Sequence, residues 1–268
     1  LRGRVLIVAG SDSGGGAGIQ ADIKAVTALG GYAATAITAL TAQNTLGVHG
    51  VFPVDPEFIE AQMVAVLDDI GADCVKTGML GVAPVIETVA AVLERRAAGI
   101  PLVVDPVMVA KGGARLLAPE AVDALKTRLL PRARLATPNI PEAEALLGRA
   151  IGGPGEMEAA ARALLDLGPE AVLLKGGHLE GERVVDVLAE GDRIRRFEGP
   201  RIATRHTHGT GCTLASAAAQ GLAQGMELAA AVARARAYVL EAIATAPGFG
   251  AGHGPLNHGH TVRPFDGT

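Results

Sequence analysis

The 268 residues carry 24 Lys and Arg against 28 Asp and Glu, a net charge of −4 with no basic run, which argues against nucleic acid as the main partner. Hydrophobic residues make up 49%, yet aromatics only 3% and Trp is absent, so the apolar mass is Ala, Val, Leu and Ile, which suits buried parallel strands under close-packed helices. The length fits one domain over 1–268, and two cysteines, Cys74 and Cys212, are too few for a disulfide framework; with no signal peptide ahead of the first strand, a reduced cytoplasmic setting is expected. The uncharged stretches 25–53 and 206–226 are broken by Gly, Thr, Gln and His and read as core, with no membrane span.

In chain order, "RVLIVAG" (4–10) is a buried strand, and 18–30 has helical spacing through Ile19, Ile23, Val26 and Leu29, closed by Gly30. A strand follows at 32–40, an edge segment at 48–54, and a helix at 55–70 with Asp55 as N-cap and Pro56 in its first turn. Then come a strand at 73–79, a helix at 83–99, a strand at 101–109 that ends around Asp105-Pro106, a helix near 118–129 and a strand at 133–139. Helices near 141–147 and 155–167 precede a strand at 171–177 and a hairpin at 184–199 turning at Gly191-Asp192. Helices at about 211–223 and 227–245 close the pattern, and no repeat or low-complexity linker interrupts it. The alternation predicts a mostly parallel sheet with helices on both faces and an antiparallel edge hairpin, with ligands beyond the C-terminal strand ends.

Those strand ends carry the chemistry. After the first comes "GSDSGGGAGIQAD" (10–22), whose Gly16-x-Gly18-x-x-Ala21 fits a dinucleotide fingerprint; the second strand, however, ends "ALTAQNT" with no acid to hold a ribose, and no Walker pattern occurs. Gln43, after the second strand, could pair its amide with a flat heterocycle or be a surface turn residue. Met79 in "TGMLG" reads as wall or core, and Asp105 is a carboxylate too costly to bury at an apolar strand end without a role. Asn139 and Glu142 fit a helix capping box and a site equally well, while Lys175, between apolar residues and Gly-Gly, could reach a phosphate. Near the C-terminus Gly209-Thr210-Gly211 runs into an alanine-rich helix with Cys212 at its start, which reads both as a phosphate cradle and as a thiol whose pKa the helix start lowers. A lysine, carboxylates suited to Mg2+, an N–H nest and a thiol together make a phosphoryl-transfer kit.

With "AGSDSGGGAGIQADIK", "TALTAQNT", "KTGMLG", "VVDPVMVAKGG", "TPNIPEAEAL", "LLKGGH", "HGTGCTLASAAA" and "GHGPLNH", the chain resembles bacterial hydroxymethylpyrimidine/phosphomethylpyrimidine kinases of the ribokinase-like superfamily nearly end to end. The resemblance implies an α/β/α sandwich, a homodimer, and a kinase using ATP and Mg2+ on a small pyrimidine, 4-amino-5-hydroxymethyl-2-methylpyrimidine, and then on its monophosphate. By motif, Gln43 would bond the aminopyrimidine; Gly10, Asp22, Met79 and Val107 would line its pocket; and Asn139 and Glu142 would serve the Mg2+–phosphate site with Asp105 nearby. Lys175 would touch ATP phosphates, Gly209, Thr210 and Gly211 would form an anion hole, and Cys212 would stand as base where the wider superfamily has Asp. Pyridoxal or pyridoxine kinase shares this scaffold, a sugar kinase would want the missing Gly-Asp base, and a non-catalytic pyrimidine-binding domain would not need Lys175 with Cys212. A thiol-chemistry enzyme lacks a partner for Cys212 at diagnostic spacing; His206 and His208 would shape their loop, and His253, His258 and His260 would cover the site or meet a second subunit, while Cys74 would be a buried strand residue. The segment 110–117, with a Gly pair and Lys111, is a candidate flap.

Overall fold

A computed structural model describes residues 2–110, 113–114, 116–179, 181–263 and 265–267, so Lys111 and its glycine neighbour in the expected flap lie outside the described residues. In chain order the elements are β1 (Arg4–Asp12), α1 (Gly18–Ala28), β2 (Tyr32–Asn44), β3 (Gly47–Pro53), α2 (Pro56–Ala65), β4 (Cys74–Thr77), α3 (Ala83–Arg96), β5 (Leu102–Val104) and α4 (Ala121–Ala124). There follow β6 (Leu135–Ala136), α5 (Ile140–Leu147), α6 (Met157–Leu165), β7 (Ala171–Lys175), β8 (Arg183–Glu190), β9 (Arg193–Pro200), α7 (Thr210–Ala223) and α8 (Leu228–Ala244). The strands form one sheet in the order β3-β2-β1-β4-β5-β6-β7-β8-β9. From β2 to β7 neighbours run parallel; β3 pairs antiparallel on one edge and the β8–β9 hairpin on the other.

The period of two in the strands sorts their side chains into two cores. Leu6 and Val8 of β1 join Val75, Leu102, Val104, Val172 and Leu174 under the helices α2 to α6. Val5, Ile7 and Ala9 join Cys74, Val103, Leu135, Leu173 and the helices α1, α7 and α8 on the other face. On the central strands β1, β4, β5, β6 and β7, helices on both faces leave little for water, which is why these strands read as continuous apolar runs. α7 is buried along nearly its whole length, and its Ala215, Ala217, Ala218 and Ala219 let it lie between the sheet and α8.

Several elements are shorter than the periodicity predicts, and prolines explain the ones that matter. The strand expected at 101–109 is only Leu102–Val104, because Asp105 precedes Pro106, which has no N–H for the ladder. The strand expected at 133–139 shrinks to Leu135–Ala136 ahead of Pro138. The helix expected over 55–70 is α-helical through Ala65 and widens into a π-type turn over Val66–Ile70. Conversely, the strand expected at 32–40 runs on to Asn44, so Gln43 lies inside β2; a register shift between Ala42 and Gln43 against β3 aims it. Because β1 is flanked by β2 and β4, the winding direction reverses there, and the crevice for ligands opens above that point.

Ile7 is fully buried in the central strand. Ile7→Ala is expected to cost about 2–5 kcal/mol of unfolding free energy, measured by urea denaturation; a loss within experimental error would contradict the two-sided core.

Candidate active site

A cavity of about 1590 Å³ lies over the C-terminal ends of β1, β4, β5, β6 and β7 and is lined by residues from Gly10 and Gln43 at one end to Phe197 and Arg236 at the other. A pocket for one drug-sized ligand is roughly 300–1,000 Å³, so this volume has room for two molecules side by side.

The middle of the cavity is ionic. Asp105, just past β5, is buried, accepts from Thr137 Oγ1 at 3.0 Å and pairs with Lys175 Nζ at 3.1 Å. Lys175 ends β7, where its backbone bridges to Asn139, so the two strand-end residues are held side by side. Burial works against the Lys175 charge, but Asp105 and Glu142 outweigh it and lift the ammonium above its ordinary value. Asn139 and Glu142 form a reciprocal capping box at the start of α5: Glu142 N–H donates to Asn139 Oδ1 at 3.0 Å and Asn139 N–H to Glu142 Oε2 at 2.8 Å. Cap and cavity lining therefore coexist in the same two residues. Burial first, and Asp105 next to it, push the Glu142 carboxyl up to about 7 against the pull of Lys175.

Gly209 to Cys212 border this cluster. Gly209 caps α7 with φ +82°, and a Cβ there would collide with the Gly16 carbonyl, so only glycine lets the two loops meet. The Gly211 Cα faces the ion pair closely enough that an added Cβ would sit 3.2 Å from Lys175 Nζ. Behind the helix start the C-terminal tail acts as a brace: Thr213 Oγ1 meets His258 Nε2 at 2.9 Å, Tyr238 OH donates to the His258 carbonyl at 2.6 Å, and His208 bridges to Pro255. The tail histidines expected over the site thus include one, His258, that supports α7 from behind; burial, with Lys24 adding to it, pushes it down to about 4.

The Cys212 thiol is pushed up, contrary to the expectation that the helix start lowers it. Burial pushes the thiol up to about 12, Asp22 and Asp105 add to that, and Lys76 and the Gly18 N–H only partly offset it. Asp22 is a second correction. It does not line the cavity; fully buried on α1, it holds Lys76 Nζ at 2.9 Å through both oxygens and accepts from Ser216 Oγ at 2.7 Å. Lys76, overlooked as one residue of an apolar strand, is buried yet reaches the cavity wall; burial opposes its charge, but the Asp22 carboxylate, with Asp105 adding to it, keeps it protonated.

At the other end Gly10, Gln43, Met79 and Val107 all line the cavity. Thr38 Oγ1 donates to the Met79 carbonyl at 2.6 Å and pins that turn, and Ser13 Oγ bonds both the Gln43 N–H, at 2.9 Å, and its carbonyl, at 2.8 Å. The glycine-rich loop is no dinucleotide cradle. The Gly14, Gly16 and Ala17 N–H groups donate to the Asp12 carboxylate at 2.8, 3.1 and 2.8 Å, and His208 Nε2 lies 2.8 Å from it. Asp12 went unnoticed in the sequence, although a carboxylate one residue ahead of three glycines could have marked a loop that folds around it.

A family model described as phosphomethylpyrimidine kinase matches residues 12–257. The chain belongs to the phosphomethylpyrimidine kinase family. It is 56% identical, over 96% of its length, to a thiamine biosynthesis bifunctional protein of Geobacter sulfurreducens, of which it spans 52%, about half. It is 50% identical to a hydroxymethylpyrimidine/phosphomethylpyrimidine kinase of Streptomyces coelicolor, covering 95% of this chain and 94% of that one. The fold is also that of Bacillus subtilis pyridoxal kinase, solved as an ADP complex, with a TM-score of 0.90, 38% identity and 97% and 98% of the two chains covered. The ribokinase-like architecture expected from the motifs is therefore the one observed.

Two outcomes follow for the ligand-free protein. Alkylation of Cys212 by iodoacetamide should be slow at pH 7 and rise roughly tenfold per pH unit through pH 9, as thiolate becomes available; a rate already level at pH 7 would mean the helix start does activate the thiol. His258 has a folded pKa below its unfolded one, so its contribution is fully present above about pH 6.5 and is lost as pH falls toward about 4. His258→Asn should flatten the fall of unfolding free energy across that window by up to about 1.4 kcal/mol per pH unit, measured by denaturation at several pH values; an unchanged slope would show that His258 is not held neutral.

Proposed function

We propose that this chain is an ATP-dependent kinase that phosphorylates the hydroxymethyl group of 4-amino-5-hydroxymethyl-2-methylpyrimidine and then the resulting monophosphate to the diphosphate, for thiamine biosynthesis. The observation that carries this is one cavity holding Gln43 at one end and, at its middle, Lys175, Asp105 and Glu142 against the start of α7. Family membership and the names of the relatives support the substrate and the two steps.

In this reading Gln43 holds the ring, with Gly10, Met79 and Val107 as its walls. Lys175 neutralises phosphate charge, and the Gly209–Cys212 turn offers backbone N–H groups where charge develops on the transferring group. Cys212 stands at the acceptor oxygen as the base. Burial pushes its thiol up, so it must give up its own proton before it can take the proton of the substrate hydroxyl. ATP supplies the phosphoryl group, and Phe197 and Arg236 lie at the cavity end left for its base.

Mg2+ fits the donor set. Asp105 and Glu142 are hard oxygen donors that both line the cavity beside Lys175. Among the described residues no cluster of three or more His, Cys, Asp or Glu could cage a metal. Bound there, Mg2+ would offset charge between the phosphates.

We also infer a homodimer in the cytoplasm. Both cysteines are free thiols, and the β3 edge exposes Leu40, Leu46, Val51, Phe52 and, beside it, Phe58, an apolar patch fit for a second subunit. No helix among the described residues is long and apolar enough to cross a membrane.

ADP release with ATP and Mg2+, compared across the hydroxymethylpyrimidine, its monophosphate, pyridoxal and no acceptor, tests the reading. Turnover of both pyrimidines is expected. Turnover of pyridoxal alone would move the chain to vitamin B6 chemistry, the reading that its likeness to the Bacillus subtilis enzyme keeps in play. Cys212→Ala should lower kcat by about 10²–10⁴ with ATP binding intact; undiminished kcat would remove Cys212 from the base role.

A further inference from the structure

The Gln43 amide is the polar reader at one end of the cavity, and its two ends are isosteric, so the neighbours' hydrogens decide which end is oxygen. The end placed as Nε2 lies 3.3 Å from His208 Nε2 and the end placed as Oε1 lies 3.2 Å from Thr41 Oγ1, an orientation that the neighbours' hydrogens reverse. Both neighbours are themselves constrained. The Asp12 carboxylate takes three backbone N–H donors and is buried, which holds it ionised; burial raises it, but the His208 bond and the loop amides outweigh that and lower it. An ionised carboxylate only accepts, so His208 Nε2, 2.8 Å from Asp12 Oδ2, must carry the hydrogen. That hydrogen goes to Asp12, and a protonated ring nitrogen keeps no lone pair, so an amide NH2 set against it would find no acceptor; the amide end beside it must be oxygen, against the positive edge of the N–H. At the other end Thr41 Oγ1 spends its one hydrogen on the Ser11 carbonyl at 2.9 Å, so towards Gln43 it can only accept, and the amide end beside it must be nitrogen. Two independent neighbours demand the same orientation.

We propose that Asp12 and His208 are specificity-determining positioning residues: they lock the orientation of the Gln43 amide and thereby the order of acceptor and donor presented to the substrate ring. This rests on the pyrimidine reading of the same site. The locked amide turns its oxygen towards the His208 side and its nitrogen towards the Thr41 side, leaving one lone pair and one N–H for the ligand. A 4-aminopyrimidine supplies the matching pair, an exocyclic N–H donor next to a ring-nitrogen acceptor. The corresponding pyrimidin-4-one has the reverse pair, a carbonyl acceptor next to a ring N–H. To read it the amide would have to turn over, setting its NH2 against the His208 N–H and its oxygen against a hydroxyl with no hydrogen to give. The contact is tight enough that a Cβ on Gly16 would run 3.2 Å from Pro255 and into the His208 ring, so the ring has little room to move away.

The test has two arms on the full chain. In the first, ¹⁵N shifts of the ligand-free protein report the His208 tautomer, with the signal assigned by its loss in His208→Phe; an Nε2-protonated ring is expected, and an Nδ1–H ring with bare Nε2 overturns the proposal. In the second, binding of 4-amino-5-hydroxymethyl-2-methylpyrimidine and of its 4-oxo analogue is compared by calorimetry in the unaltered chain, His208→Phe and His208→Gln. The unaltered chain should favour the amino ring by about a hundredfold or more, since buried groups left unpaired reject an analogue strongly. His208→Phe keeps the ring shape, loses the donor, and should bring the two within about tenfold; His208→Gln, which can still donate to Asp12, should restore part of the preference. Equal weakening of both rings in His208→Phe would show a merely structural role and overturn the proposal. If the unaltered chain binds neither ring, the pyrimidine reading itself fails, and this specificity role fails with it. Should His208→Phe not fold, the tautomer measured in the unaltered chain, with His208→Gln as assignment control, still decides.

Discussion

The ion pair between Lys175 and Asp105, 3.1 Å apart at the ends of β7 and β5, is the constraint on which the rest of the site depends. A buried pair returns little net stability after desolvation, but removing one partner leaves an uncompensated charge. Here the pair belongs to a larger set in which carboxylates outnumber ammonium groups. Asp22, Asp105 and Glu142 share this buried centre with Lys76 and Lys175, and burial first of all pushes the Glu142 carboxyl up to about 7 and the Cys212 thiol up to about 12, against the pull of Lys175 on one and of Lys76 on the other. The start of α7, with its dipole and N–H groups, is the fixed positive element beside them.

α7 can serve that role because three parts of the chain hold its first turn. The glycine-rich loop meets Gly209 backbone to backbone, the C-terminal tail braces Thr213 through His258, and Ser216, one turn beyond Cys212, bonds the Asp22 that anchors Lys76. The same loop, folded around Asp12, also reaches His208 and Gln43. In the proposed reading, substrate recognition and phosphate binding would be linked through residues 208–212.

Much of this was legible in the sequence because strands buried on both faces leave few places for polar residues. Asp105, Asn139, Glu142 and Lys175 stand out at strand ends for that reason, and all of them line the cavity. Gln43 was also found, although it lies within a strand and not after one, because β2 continues past the apolar run that defines it locally. What stayed hidden were pairings between residues far apart in the chain. Lys76 and Asp22 satisfy one another across 54 positions, and Asp12 and His208 across 196, and no local pattern reveals either. The Cys212 thiol was misjudged for the same reason: a helix start can be read from Gly-Thr-Gly, but the burial that pushes the thiol up, and Asp22 and Asp105 that add to it, come from the tertiary packing.

The most direct test of this charge-centred account is a crystal structure of the chain with hydroxymethylpyrimidine, a non-hydrolysable ATP analogue and Mg2+. The account predicts the pyrimidine against Gln43, its hydroxymethyl oxygen at Cys212 Sγ, and the terminal phosphate on the Gly209–Cys212 amides within reach of Lys175. A nucleotide whose phosphates bypass α7, or a pyrimidine seated away from Gln43 beside Phe197 and Arg236, would contradict it.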